Sequence, residues 1–296
     1  MPIERAAHAK VNLALSVGPA LAGGPQDGMH PIASWMHAID LCDTVRIERL
    51  ATGPSAYEVA WAAGAPRVSA IDWPLDKDLA ARAHRLMQEH TGRTLPVHLS
   101  IEKRVPVGGG LGGGSSDAAA VMLGLNEAFG LGVPIARLAE WSGRLGSDVA
   151  FFLDQEAPPR PAIVTGLGDR VERLARAAAW VVLVVPGFGC PTGAVYRAFD
   201  RAAGPGLREG SVRALAAASI DAGGLFNDLT GAAIRVEPRL GALMEGVARA
   251  AGLPAHMSGS GSTVFVPAPD GGRCRAISEK IRAGVPDVTV LGVRLV

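Results

Sequence analysis

Strict alternation of apolar and polar positions marks two stretches of the chain as strands. Residues 10–17 place valine and leucine on one face and Lys10, Asn12 and Ser16 on the other, and residues 97–104 alternate in the same way. Successive residues of a strand point to opposite faces of its sheet. The pattern therefore predicts two half-buried strands, the first with a lysine and an asparagine side by side on its polar face.

Other segments show helical spacing or short apolar runs. Apolar residues three and four positions apart predict helices over 78–90, 135–145, 194–203, 211–218, 239–250 and 273–283, and Gly92 closes the first of them. Strand-like runs occupy 33–39, 44–50, 180–185, 263–266 and 288–296. Helices that alternate with strands in the second half predict an α+β fold, with helices on one face of a small sheet. The polar, proline-rich stretch 154–161 predicts a boundary between domains 1–160 and 161–296.

Composition removes several classes of function. The chain has 296 residues with 29 Lys plus Arg and 28 Asp plus Glu, so its net charge of +1 argues against a nucleic-acid partner. The longest purely apolar run is 177–185, about half of what a membrane-spanning helix needs. Three scattered cysteines (Cys42, Cys190 and Cys274) suit a reduced compartment. We therefore expect a cytoplasmic protein without a membrane partner, whose oligomeric state the sequence leaves open.

A glycine-rich loop at 108–114, with the sequence GGGLGGG, carries the strongest chemical signal. It stands between a predicted strand and a predicted helix for which Ser115 or Ser116 is the expected N-cap, with Asp117 in the first turn. Backbone N–H groups of such a loop and the positive end of the helix together make an anion site sized for a polyphosphate. A flexible linker is the alternative, and the flanking elements disfavour it.

Two common nucleotide motifs do not explain this loop. A P-loop needs a lysine next to its last glycine, and no lysine occurs between Arg104 and Arg137. A dinucleotide fingerprint matches literally at Gly108, Gly110 and Gly113, but so glycine-dense a stretch matches almost automatically. Its strand should also be a buried apolar run rather than an alternating one. An oxidoreductase of the dinucleotide-binding type is thus a distant alternative.

Three motifs in order resemble the GHMP kinases, which are ATP-dependent kinases of small molecules. They are the Lys-x-Asn strand, P-x-G-G-G-L-G-G-G-S-S before a helix, and a late S-G-S-G-S turn. Longer matches resemble the branch of this family that phosphorylates 4-diphosphocytidyl-2-C-methyl-D-erythritol. These matches are AKVNLAL at 9–15, DGMHPI at 27–32, DLCDTV at 40–45, VPVGGGLGGGSSDAAAVMLGLN at 105–126, LGSDVAFF at 145–152, PGFGCPTGAVY at 186–196, FNDL at 226–229 and HMSGSGSTVF at 256–265.

The resemblance implies a fold and a reaction. The expected fold has an N-terminal ATP-binding domain and a C-terminal ferredoxin-like α/β sandwich, with the active site in the cleft between them. The expected reaction moves the γ-phosphoryl group of ATP, with Mg²⁺, to the 2-hydroxyl of the cytidine-diphosphate-linked methylerythritol, in isoprenoid precursor biosynthesis. The substrate partner is then a small molecule.

The resemblance also assigns residues. Lys10 and Asp148 match the catalytic lysine and aspartate, and Ser116 is a candidate Mg²⁺ ligand that could equally cap the helix. The ATP-phosphate loop corresponds to Pro106, Val107, Gly108, Gly109, Gly110, Leu111, Gly112, Gly113, Gly114, Ser115 and Ser116. The substrate-contacting positions correspond to Asn12, Met29, His30, Thr192 and Tyr196, with His30 reading the cytosine and Tyr196 stacking on it.

Some positions depart from the family pattern. Met29 stands where the family usually has a tyrosine, His8 where a proline is common, and Ala150 where a proline is frequent. A methionine can still cover the face of a base through its polarizable sulfur, but whether Met29 changes nucleobase selectivity stays open. Tyr196 could equally be a core residue. The alternatives are a homoserine- or mevalonate-type kinase of the same family and a non-catalytic protein that keeps the fold for binding.

Overall fold

The structure is a computed structural model, and it describes residues 2–202, 204–218, 220 and 223–296. Its strands are β1 (Ile3–Val17), β2 (Ile32–Arg49), β3 (Ala56–Trp61), β4 (Val97–Lys103), β5 (Ala162–Gly166), β6 (Arg170–Arg173), β7 (Trp180–Pro186), β8 (His256–Met257), β9 (Val264–Ala268) and β10 (Val288–Arg294). Its helices are α1 (Leu79–Thr91), α2 (Gly113–Ala128), α3 (Ile135–Ser142), α4 (Val149–Phe152), α5 (Thr192–Asp200), α6 (Glu209–Ala217), α7 (Thr230–Val236), α8 (Arg239–Ala251) and α9 (Gly271–Gly284).

The chain forms two compact units, and both are discontinuous in sequence. The first unit comprises residues 1–9, 41–107 and 112–159, and the second comprises 10–40, 108–111 and 160–296. The long strands β1 and β2 each contribute residues to both units, because each runs on without a break where the sequence suggests shorter segments. The division into domains 1–160 and 161–296 stays a prediction.

In the first unit, β4 pairs antiparallel with residues 44–49 of β2 and parallel with β3. The buried residues of β4 alternate as the sequence predicts. Helix α1 packs on α2 and α2 packs on α4. Helix α1 also keeps its predicted ends, since the Asp78 side chain accepts the capping hydrogen bond from the Ala81 N–H and Gly92 closes the helix in the left-handed conformation. An antiparallel neighbour of β4 does not fit a dinucleotide-binding unit, whose sheet is parallel.

The second unit contains an antiparallel sheet of order β10-β7-β9-β8, against which α8 and α9 pack. Its central strand β7 is apolar along its whole length and almost wholly buried. In the same unit, residues 32–36 of β2 pair with β5, which pairs with β6. This arrangement confirms the predicted α+β fold.

Several local predictions were wrong. Residues 9–17 of β1 are buried on both faces, so this strand is not half-buried: Lys10 is 2 % exposed, Asn12 2 % and Ser16 0 %. The two segments predicted at 33–39 and 44–50 form the single strand β2. Along the described part of the chain, the structure contains no helix long and apolar enough to cross a membrane.

Candidate active site

Within the second unit, the ammonium group of Lys10 lies on the glycine loop. Its Nζ donates to the Gly110 carbonyl oxygen at 3.0 Å and to Asn12 Oδ1 at 2.5 Å. The Lys10 backbone N–H donates to the Leu111 carbonyl oxygen at 2.9 Å. The predicted pairing of Lys10 and Asn12 on one face is confirmed, and the same lysine fixes the position of loop residues 110 and 111.

Asn12 extends this hydrogen-bond network to neighbouring serine hydroxyl groups. Its Nδ2 donates to Ser34 Oγ at 2.8 Å, and Ser34 donates in turn to the Ala14 carbonyl oxygen at 2.9 Å. The Asn12 backbone N–H donates to Ser258 Oγ at 3.3 Å, and Ser258 donates to the Gly110 carbonyl oxygen at 3.0 Å. Buried polar groups need such partners, and here the partners tie β1 to the glycine loop and to the late serine turn.

Gly110 makes close contact with the SGSGS turn, residues 258–262. Its φ of +74° lies in the left-handed region, where residues with a Cβ are strained. A Cβ on Gly110 would also lie 2.2 Å from the Ser258 carbonyl oxygen and 3.1 Å from that of Gly261. Position 110 therefore needs glycine for two reasons, the backbone conformation and the close approach of another backbone.

The SGSGS turn is itself held from two sides. Asn227 Nδ2 donates to the carbonyl oxygens of Met257 at 2.9 Å and Gly259 at 2.8 Å. Ser260 Oγ lies 2.9 Å from Thr192 Oγ1, at the first residue of α5. Asn227 lies in the FNDL motif at 226–229, and its side chain stabilises the conformation of the SGSGS turn.

In the first unit, the helix that follows the loop begins earlier than predicted. Its N-cap is Gly112, with φ of +72°, rather than Ser115 or Ser116, and the helix starts at Gly113. The Ser116 N–H already donates to the Gly112 carbonyl oxygen at 2.9 Å. A glycine N-cap leaves the first N–H groups of α2 without a capping side chain, which is the arrangement expected of an anion-binding helix start.

A buried cluster precedes the loop, and the sequence did not reveal it. The Lys103 ammonium contacts the Asp43 and Asp117 carboxylates, the latter at 2.5 Å. Asp43 Oδ1 also accepts from the backbone N–H groups of Arg104 at 2.5 Å and Val105 at 2.8 Å. We call Lys103, Asp43 and Asp117 the anchor cluster, because it fixes the chain just before the glycine loop.

Asp117 does not lie in the first turn of α2, where the sequence predicts it, because the helix begins at Gly113. It is 4 % exposed and faces Lys103 rather than complementing the dipole of α2 in the first turn. Burial raises the pKa of its carboxyl to about 7, against the pull of the Lys103 ammonium and with added repulsion from Asp43. Its Oδ1 is buried without a hydrogen-bond partner.

Asp148 and Ser116 lie at the edge of buried apolar segments of the first unit. Asp148 is half-buried and precedes α4, whose residues are all buried, but its side chain makes no capping hydrogen bond to that helix. An ordinary helix cap therefore does not explain this aspartate. Ser116 is 3 % exposed and lines a cavity of about 50 Å³ together with His8 and Asp154.

The residues assigned to the nucleobase meet in the second unit. The ring centroids of His30 and Tyr196 are 5.1 Å apart with an interplanar angle of 47°. His30 is buried, Tyr196 is half-buried on α5, and Met29 is 43 % exposed. Thr192 and Tyr196 are one helical turn apart on α5, which places them on one face of that helix.

The chain was then compared with known proteins. Residues 78–156 match the GHMP kinases N terminal domain, and residues 205–287 match the GHMP kinases C terminal. The chain belongs to the GHMP kinase family. As a GHMP kinase, it is a small-molecule kinase that uses ATP.

Several relatives of this GHMP kinase have the same name. It is 37% identical over 289 residues to the 4-diphosphocytidyl-2-C-methyl-D-erythritol kinase of Symbiobacterium thermophilum, with 95% of each chain covered. It is 37% identical over 287 residues to the enzyme of that name from Thermobifida fusca, with 93% of this chain and 90% of the relative covered.

Solved structures agree with this grouping. A crystal structure of 4-(cytidine 5'-diphospho)-2C-methyl-D-erythritol kinase is 33% identical, with a TM-score of 0.74 and 99% of each chain covered. The homoserine kinase from Cytophaga hutchinsonii is only 16% identical, at a TM-score of 0.70, with 100% of this chain and 95% of that chain covered. The second likeness shows the GHMP kinase fold alone.

Proposed function

We propose that this GHMP kinase transfers the γ-phosphoryl group of ATP to the 2-hydroxyl of 4-diphosphocytidyl-2-C-methyl-D-erythritol, in isoprenoid precursor biosynthesis. The observation that carries the proposal is the set of relatives that share this activity in their names, at 32–37% identity over about nine-tenths of the chain. The neighbouring rings of His30 and Tyr196 support a nucleobase-bearing substrate, because aromatic rings suit the face of a base.

The glycine loop is the proposed ATP-phosphate site. Gly108, Gly110 and Gly112 have positive φ values, which residues with a Cβ rarely adopt. These values change the direction in which the backbone N–H groups of the loop point. Consecutive N–H groups of this kind form concavities for anions, and the uncapped start of α2 adds the positive end of a helix dipole. The complete proposed segment is Pro106, Val107, Gly108, Gly109, Gly110, Leu111, Gly112, Gly113, Gly114, Ser115 and Ser116.

Lys10 and Asp148 are the proposed catalytic pair. Phosphoryl transfer asks the protein mainly to position the reactants and to stabilise charge on the phosphoryl oxygens. Lys10 supplies the positive charge that stabilises the phosphoryl oxygens. Its hydrogen bond to the Gly110 carbonyl oxygen holds the ammonium group at the glycine loop. Asp148 accepts the proton of the attacking hydroxyl, late in a loose transition state. Asn12, Met29, His30, Thr192 and Tyr196 are the proposed substrate contacts.

Mg²⁺ is the proposed metal. In the part of the chain that the structure describes, no three His, Cys, Asp or Glu side chains group into a metal cage. In proteins Mg²⁺ is usually held by one or two carboxylates together with substrate phosphates and water. When bound, the ion neutralises charge on the phosphate oxygens, and the Ser116 hydroxyl stays a proposed ligand.

An assay of ADP release across several hydroxyl acceptors tests the function. The panel is 4-diphosphocytidyl-2-C-methyl-D-erythritol, the methylerythritol part without the cytidine diphosphate group, homoserine and mevalonate. We expect ATP-dependent phosphorylation of the cytidylated compound, with kcat/KM at least about a hundredfold above the others, as sites that bind buried polar groups of a substrate can discriminate. Equal or better turnover of homoserine or mevalonate would overturn the proposed substrate, and no turnover of any acceptor would favour a binding protein.

A further inference from the structure

Both ring nitrogens of His30 face an acceptor of the protein. Nδ1 lies 2.9 Å from the Gly18 carbonyl oxygen, and Nε2 lies 3.2 Å from Asp200 Oδ1. A carbonyl oxygen and an ionised carboxylate can only accept, so Nδ1 and Nε2 each carry a hydrogen when both contacts are hydrogen bonds. The His30 side chain is 5 % exposed, and that of Asp200 is 44 % exposed. The sequence suggested that His30 reads the cytosine, but in this arrangement neither ring nitrogen is turned to a ligand.

Helix α5 supplies two aromatic rings and a carboxylate that contact the His30 ring. Tyr196 lies against His30 at 5.1 Å, and Phe199 meets it edge-on at 5.9 Å with an interplanar angle of 77°. Asp200, the last residue of α5, stands one turn after Tyr196, so the carboxylate and the tyrosine ring share a face of the helix. The carboxylate and the tyrosine ring of α5 therefore both contact the imidazole of His30.

We propose that Asp200 is a positioning residue for substrate recognition: it holds the His30 ring in one orientation, so that His30 and Tyr196 together form a preformed wall of the nucleobase site. This proposal rests on the proposed function, because it needs a substrate that carries a base. The imidazole acts through its fixed ring and not through a nitrogen offered to the base. A wall that is already ordered saves the substrate the cost of ordering it on binding.

Two substitutions separate orientation from charge. Asp200→Ala removes the partner of Nε2, and the ring loses one of its two tethers. Asp200→Asn removes the charge but keeps a tether, because its amide group can donate to the lone pair of Nε2 while Nδ1–H stays bonded to Gly18. Arg201→Ala, at the C-cap of the same helix and also exposed, is the matched control for disturbing the end of α5.

The test measures KM for both substrates and kcat in full-length protein, together with the ¹⁵N spectrum of the His30 ring. For Asp200→Ala we expect KM for the cytidylated substrate to rise about threefold to fivefold, the range of a half-exposed pair. KM for ATP and kcat should stay unchanged, and the His30 ring signals should shift or broaden. Asp200→Asn and Arg201→Ala should stay close to the wild type in KM and should keep a protonated Nδ1.

Other outcomes overturn the proposal. An Asp200→Ala variant with wild-type KM and wild-type ring signals would show that Asp200 does not position His30. An Asp200→Asn variant as impaired as the alanine variant would show that the charge, and not the orientation, matters. If the wild type does not phosphorylate the cytidylated acceptor, the proposed function fails, while calorimetric affinity for cytidine diphosphate and the ring spectra of the same variants still decide the role of Asp200.

Discussion

Two buried lysines of this kinase contact different parts of the fold. Lys103 is 3 % exposed and contacts two carboxylates, Asp43 and Asp117, just before the glycine loop. Lys10 is 2 % exposed, and it donates hydrogen bonds to Asn12 Oδ1 and to the carbonyl oxygen of Gly110 in the loop itself. A lysine enclosed by carboxylates holds the fold together, whereas a lysine placed on the glycine loop is suited to a phosphate. Burial alone therefore does not reveal which lysine is structural.

The largest effect on stability is expected from Lys103→Met. The substitution leaves Asp43 and Asp117 buried beside each other without a cation, and removing one member of a buried ion pair costs about 3–5 kcal/mol of the free energy of unfolding. Chemical denaturation measures this loss. Lys77→Met, at an exposed position, is the control and should be near neutral. A loss below about 1 kcal/mol for Lys103→Met would show that the anchor cluster does not hold the fold.

Asp148→Asn tests a carboxylate that has a different task from those of the anchor cluster. Asparagine has the size and shape of aspartate, and Asp148 is half-buried, so the denaturation midpoint should change little. The Asp148→Asn variant lacks the proposed proton acceptor, so its kcat should fall by about 10²-fold or more. Steady-state kinetics on the purified variant measures this, and near-normal turnover would remove Asp148 from the catalytic pair.

Two glycines of the loop separate backbone strain from close approach. Gly108→Ala and Gly110→Ala both place a Cβ at positive φ, which costs about 1–2 kcal/mol. At Gly108 the Cβ meets nothing within 4 Å, whereas at Gly110 it meets the Ser258 carbonyl oxygen. Only Gly110→Ala should push the SGSGS turn away and weaken ATP binding, by about tenfold or more in calorimetry. Equal affinities in the two variants would mean that the contact with Ser258 does not shape the site.

The sequence predicts the fold class well where patterns are local. Alternation gave β4, apolar spacing gave α1 with both of its ends, and glycine density identified the loop. What it could not predict depends on pairing between distant residues. Lys103 meets Asp43, 60 residues away, only because β2 and β4 pair in the observed register. Both faces of β1 are buried around Lys10. This burial likewise follows from tertiary packing, and the alternating pattern of the neighbouring residues does not predict it.

Among the functional residues, those in short motifs could be predicted from the sequence, and those whose contacts depend on tertiary packing could not. Lys10, Asn12 and the glycine loop could be predicted because their motifs are short, and the structure brings Lys10, Asn12, Gly110 and Leu111 together in one unit. The tether between Asp200 and His30 left no signal in the sequence, because a helix-terminal aspartate is an ordinary surface residue. The same holds for Asn227, whose contact with the SGSGS turn depends on the packing of the second unit.

A separate test of the anchor cluster is the pH dependence of stability in Asp117→Asn. Burial raises the pKa of this carboxyl to about 7, while in the unfolded chain it is about 3.9. Between these values the folded protein binds more protons than the unfolded one, so stability falls as the pH rises from about 4 to 7. The asparagine variant should show a flatter dependence of Tm on pH in this window. The same slope in both proteins would contradict the assignment.

The most direct test of the account compares kcat and KM for ATP in Lys10→Met with those of the wild type and of Lys103→Met. A charge that stabilises the transferring phosphoryl group acts on the transition state. We therefore expect Lys10→Met to lower kcat by about 10²–10³-fold, the range for one lost electrostatic stabiliser, with KM for ATP little changed. Its loss of stability should be smaller than that of Lys103→Met. If Lys10→Met instead raised only KM for ATP and kept kcat, Lys10 would be a nucleotide-binding residue, and the contrast between the two lysines would not hold.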